Sequence, residues 1–149
     1  MPGLDINIIS ISKMKFKPKR VKEKIQAIKT DPERAVEYCR TKLLKPWPAA
    51  EPYIMKSPKP ASFYALNILK RRWPEAEPYI KQVPEAAVPY ANIILKQKWP
   101  EAEPYIIKEP VWATVYAIYV LNHRWKEAEP NIKQNSFYWN QYKNRFNIP

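Results

Sequence analysis

His123 and Cys39 are the single histidine and the single cysteine of this chain, and Asp5 and Asp31 are its only aspartates. One His and one Cys cannot supply a metal site of recognised spacing. Asp31 precedes Pro32, where capping a helix accounts for it. Glutamates are more numerous and fall in pairs, Glu75 with Glu77, Glu101 with Glu103 and Glu127 with Glu129. Paired carboxylates can perform general acid–base chemistry. These pairs, however, recur at the start of successive helical segments, where attraction to the helix dipole explains them without catalysis. No nucleophile–base pair accompanies them. The expectation is a non-enzymatic chain without metal, cofactor or small-molecule substrate.

The elements that position these residues follow from composition and period. Gly3 is the only glycine among 149 residues, which argues against glycine-dependent hairpins and phosphate-binding loops. Seventeen prolines would suggest disorder, but six Trp, ten Tyr and 46% hydrophobic residues supply enough apolar surface for a core. A lone cysteine is consistent with a reducing compartment. There is no signal-peptide core of about 7–15 apolar residues, and no run of about 18 that could cross a membrane. The expectation is a soluble protein in the host cytoplasm or associated with a virion, without membrane contact.

Trp47, Trp73, Trp99 and Trp125 stand 26 residues apart, as do Tyr38, Tyr64, Tyr90, Tyr116 and Tyr142 and the series Ile28, Ile54, Ile80, Ile106 and Ile132. This period predicts an all-α, solenoid-like stack of five two-helix repeats, 21–46, 47–72, 73–98, 99–124 and 125–149. One helix of each unit starts at Asp31-Pro32, Ser57-Pro58, Val83-Pro84, Glu109-Pro110 or Asn135-Ser136. Asp, Ser and Asn suit the N-cap, and proline suits the first turn, where no intrahelical partner awaits its missing N–H. Ala87, Tyr90, Ala91, Ile94 and Leu95 then form an apolar stripe at helical spacing. The Trp-Pro-Glu-Ala-Glu segment starts the other helix, which is expected to be short and weakened by Pro78. The tryptophans are expected to pack between units. Trp139 replaces the alanine of Ala35, Ala61, Ala87 and Ala113, as suits a terminal unit.

The segment Trp73-Pro74-Glu75-Ala76-Glu77-Pro78-Tyr79-Ile80, followed by Pro84, Ala87, Tyr90 and Ala91, resembles a short helical repeat of bacteriophage proteins. The resemblance covers the chain from Val21 onward. It implies the repeat fold and a viral origin, and it brings no catalytic residues. Val21 stands where later copies carry Trp, as an N-terminal cap would.

Two features point to binding. Residues 1–20 read as an extended basic arm: Ile6, Ile8, Ile9 and Ile11 precede Lys13, Lys15, Lys17 and Lys19, which alternate with Met14, Phe16 and Pro18. An extended chain places those lysines on one side. The arm would dock along a partner through Ile8, Ile11, Lys13, Lys15, Lys17, Lys19 and Arg20, or its isoleucines would lie back on the repeats. Trp112 and Tyr138 are further candidate partner contacts, because most other copies lack an aromatic there. Lys70, Arg71, Arg72, Lys96, Lys98 and Arg124 form a basic row within a net charge of +12. The preferred reading is a protein-interaction or assembly module; the alternative is a nucleic-acid binder using the arm and the basic row.

Overall fold

A computed structural model describes residues 18–149, and among these it is all-helical. The first helix, α1, spans Pro18–Lys29. Four long helices follow, each beginning as α-helix and closing in a π-helical turn. These are α2 (Pro32–Tyr38, continued by Cys39–Leu43), α4 (Pro58–Tyr64, continued by Ala65–Leu69), α6 (Pro84–Pro89, continued by Tyr90–Leu95) and α8 (Pro110–Tyr116, continued by Ala117–Leu121). Between them lie single-turn helices α3 (Glu51–Ile54), α5 (Glu77–Ile80) and α7 (Glu103–Ile106); α9 (Glu129–Ile132) leads into the last helix, α10 (Ser136–Phe146). Consecutive long helices pack side by side; each short helix leans on the long helix before it, and α3, α7 and α9 also lean on the one after. The result is a solenoid-like stack of helix pairs.

The prolines work as expected at the long helices, where Pro32, Pro58, Pro84 and Pro110 open the first turn. Asp31 accepts the Arg34 N–H at 3.0 Å, and Asn135 accepts the N–H groups of Phe137 and Tyr138. Ser57 makes no such side-chain bond, so that start rests on Pro58 and the extended Ser57 backbone. The short helices differ from expectation. Trp73 to Ala76 forms a tight turn, closed by the Ala76 N–H on the Trp73 carbonyl. The helix begins only at Glu77, so Pro78 sits in the first turn and removes no helical hydrogen bond.

Alanine determines how closely the long helices approach. Ala35, Ala61, Ala87 and Ala113 are fully buried, as are Ala65, Ala91 and Ala117 four residues further on, with Cys39 in the same register. Between α4 and α6, the Ser62 hydroxyl donates to the Ala86 carbonyl at 2.8 Å. Trp139 closes the stack, its ring 5.6 Å from Tyr142 and nearly parallel to it, while Phe146 meets Tyr142 edge-on. The last unit therefore covers its tyrosine with its own aromatics in place of a following tryptophan.

Each long helix ends on a left-handed residue, at Leu44, Lys70, Lys96, Asn122 and Asn147, with φ between 51 and 55°. The first four are 26 residues apart. The fifth comes one residue early, because α10 lacks the π turn and its additional residue. Asparagine tolerates this conformation, whereas leucine and lysine pay a Cβ penalty of about 1–2 kcal/mol there. Lys96→Gly is expected to stabilise the array by up to about 1 kcal/mol, after allowing for the greater freedom of unfolded glycine. An unchanged or lowered urea midpoint would contradict this.

Candidate interaction surface

A repeated hydrogen-bond unit holds the short and long helices together. The Tyr90 hydroxyl accepts the Trp73 N–H at 2.7 Å and donates to Glu77 Oε1 at 2.9 Å. Tyr64 does the same with Trp47 and Glu51, Tyr116 with Trp99 and Glu103, and Tyr142 with Trp125 and Glu129. Each tyrosine ring also faces the next unit: Tyr64 lies 5.3 Å from Trp73, Tyr90 5.4 Å from Trp99 and Tyr116 5.3 Å from Trp125. One side chain thus fastens its own unit through the hydroxyl and the following unit through the ring. Burial pushes the pKa values of Tyr64, Tyr90, Tyr116 and Tyr142 above the ordinary phenol value, so these hydroxyls remain neutral donors.

The second glutamate of each pair belongs to this unit; the first, such as Glu75 or Glu101, faces solvent. Arg72 grips Glu77 with two bonds of 2.6 and 2.9 Å, and Arg124 grips Glu129 with two of 2.9 and 3.0 Å. The Arg72 hydrogen bonds hold the Glu77 carboxyl below its usual range, against the opposing effect of burial. Among the described residues, no buried side-chain polar atom lacks a hydrogen-bond partner, and no group of three or more His, Cys, Asp and Glu is placed to hold a metal.

Of the basic row, Arg72 and Arg124 are therefore committed to internal carboxylates, and Arg71 bonds to the Arg72 carbonyl. Lys70, Lys96 and Lys98 are exposed. The row runs past exposed Glu75 and Glu101, which reduce its field. Lys19 and Arg20 do not belong to an extended strand: they lie exposed on the first turn of α1, where Pro18 opens the helix. Ile8, Ile11, Lys13, Lys15 and Lys17 lie outside the described residues.

Trp112 and Tyr138 are half-buried against the core. They share the register of Pro60 and Ala86, on the flank that meets the preceding long helix. Their aromatic bulk fills that seam, which makes them poor anchors for an outside partner. The exposed large apolar residues are others: Val21 on α1, Tyr53 on α3, and, on or at the end of the long helices, Leu44, Phe63, Ile93, Tyr119 and Phe137, with fractional exposures of 78, 42, 50, 65 and 62% for the last five. Within the repeat these five stand at the thirteenth (Phe137), seventeenth (Phe63), twenty-first (Ile93, Tyr119) and twenty-fourth (Leu44) positions. That spacing places Phe137, Phe63, Ile93 and Tyr119 on one side of the long helices, opposite the buried alanine and tyrosine stripe, whereas Leu44 is the left-handed residue beyond the helix end. Because the long helices lie side by side, the four on the helices share the outer face of one layer. The signal was present in the sequence as apolar residues interrupting the polar side of an otherwise amphipathic pattern.

The fold defines a class, an α-helical repeat array. Comparison with protein-family models, with curated proteins and with solved structures returns no match. Among the described residues, no helix is long and apolar enough to cross a membrane.

Proposed function

We propose that the protein is a non-enzymatic helical-repeat interaction or assembly module whose outer long-helix face docks a protein partner. The observation that carries this reading is the exposure of Phe63, Ile93 and Tyr119 on three adjacent long helices. Water-exposed side chains of this size contribute little to the fold, and contiguous apolar surface commonly marks a contact site. Aromatic residues are enriched in the cores of such contacts. The tyrosine–glutamate–tryptophan unit supports the same reading, because it holds the presenting helices in fixed register. The resemblance to bacteriophage repeats extends the proposal to a structural or accessory component of a virus. Nucleic-acid binding through Lys70, Lys96 and Lys98 is the second reading, favoured by their freedom from internal ion pairs and by the net charge of +12.

Capture from a lysate of the native host separates the two. The outer-face variant Phe63→Glu/Ile93→Glu/Tyr119→Glu is expected to lose the captured protein while retaining its helical circular dichroism. The variant Lys70→Ala/Lys96→Ala/Lys98→Ala is expected to retain capture at both low and high salt. The reverse pattern, with capture of nucleic acid that falls steeply with salt, would replace the protein-docking reading by the second.

A further inference from the structure

We propose that the groove between the C-terminal ends of α2 and α4 binds an acidic peptide segment carrying one bulky apolar side chain. The groove measures about 360 Å³ and is lined by Leu44, Pro46 and Ile68 together with Arg40, Lys45 and Lys70. None of Phe63, Ile93 and Tyr119 lines it, so its ligand and a partner on the outer face are independent.

Leu44 is the residue that the fold does not explain. It takes the left-handed conformation, with φ 53°, and is 78% exposed. Its counterparts at the other long-helix ends are Lys70, Lys96, Asn122 and Asn147, all polar. An apolar residue at such a cap commonly packs on the last turn of its own helix, a role that so high an exposure excludes here. Leucine at this position therefore strains the backbone and exposes apolar surface without adding to the packing. Strain of that kind gathers where a protein makes a contact in its function.

Charge determines what kind of segment fits. Between Glu37 and Glu51, and again between Glu51 and Glu75, the chain carries no carboxylate. Lys45 and Lys70 are exposed and make no ion pair among the described residues, while Arg40 shares its charge with Glu37. A carboxylate-rich segment would pair with the two lysines, and its apolar residue would cover Leu44 and Ile68. The chain's own Lys13, Lys15, Lys17 and Lys19 would be repelled, as would a second copy with its net charge of +12. A nucleic acid would satisfy the lysines, but no aromatic side chain lines the groove to stack a base, and Leu44 would stay uncovered.

Fluorescence anisotropy with the full chain and a labelled probe peptide, glutamates flanking one phenylalanine, tests this. Control peptides with serine for the phenylalanine, or glutamine for the glutamates, are expected to bind about tenfold less well. Leu44→Asn is expected to weaken probe binding by about tenfold, as for the loss of one covered leucine side chain. The same variant is expected to raise the urea midpoint, because asparagine tolerates the left-handed conformation. Lys45→Gln/Lys70→Gln is expected to weaken the probe roughly fivefold at low salt and little at high salt. Phe63→Ser/Ile93→Ser/Tyr119→Ser should bind the probe as the wild type does. Absence of probe binding at millimolar concentration overturns the proposal, as does binding that Leu44→Asn leaves unchanged. A lowered midpoint for Leu44→Asn makes the leucine part of the packing and overturns it too. A single-stranded oligonucleotide that displaces the probe equally well from wild type and Leu44→Asn assigns the groove to nucleic acid instead. Probe binding lost only in the outer-face variant moves the site to that face, and leaves the docking reading there standing without the groove.

Discussion

Trp99→Ala is expected to destabilise the array by about 3–5 kcal/mol, the usual cost of truncating a large buried aromatic. Trp99 is 5% exposed and lies between two units, with its ring against Tyr90 and its backbone N–H on the Tyr116 hydroxyl. Alanine preserves the backbone bond and deletes the ring, so the loss reports packing at the joint. Trp73→Ala should behave alike, since Trp73 is 4% exposed and faces Tyr64 in the same way. Trp47→Ala should cost clearly less, because Trp47 is only half-buried. Stability in a stacked array is close to a sum of unit and joint contributions, so weakening a central joint affects both halves. Urea unfolding at unchanged slope provides the measurement. A loss below about 1 kcal/mol for Trp99→Ala, against that expected for core truncation, would show that the indole does not carry the joint.

The array is also expected to unfold cooperatively in alkali. Tyr64, Tyr90, Tyr116 and Tyr142 each have a folded pKa raised by burial. The unfolded chain ionises these phenols near their ordinary value of about 10. Below that pH both states hold the proton and the stability contribution is complete. Above it the unfolded state releases protons that the folded state retains, so stability falls as pH rises towards the folded values. Each such tyrosine can contribute a slope of up to about 1.4 kcal/mol per pH unit, and four together about 5. A domain of ordinary stability, about 5–15 kcal/mol, would therefore lose its fold within a few pH units above 10. Circular dichroism against pH, alongside phenolate absorbance at the same wavelength for wild type and Tyr90→Phe, would follow it. Phenolate absorbance that rises fully before helicity is lost would mean that these hydroxyls ionise in the folded array, contrary to their burial.

A sequence of period 26 determined most of the local structure. Proline at the first turn of each long helix, alanine and tyrosine on one stripe, and tryptophan at the start of each unit specify helices that cannot stand alone and must stack. The burial of Trp73, Trp99 and Trp125 followed from that pattern, since an aromatic repeated in register belongs to every joint. Trp139 as a terminal closure followed in the same way, from the one copy that departs from alanine.

Tertiary structure decided what the period does not encode. Tyr90 reaches Trp73 and Glu77 across 17 and 13 residues, and no local propensity specifies that bond; it exists because the long helix folds back over its own turn. The π turns were equally hidden, since no residue type marks them, and they became visible only where α10 lacks one and reaches its left-handed residue early. Ile93 and Tyr119 lie within those turns, and they are exposed there. Trp112 and Tyr138 lie half-buried against the core, a placement that the packing of neighbouring helices decides. Spacing along one helix establishes which residues share a side, but only the placement of the next helix determines whether that side is a flank or a surface.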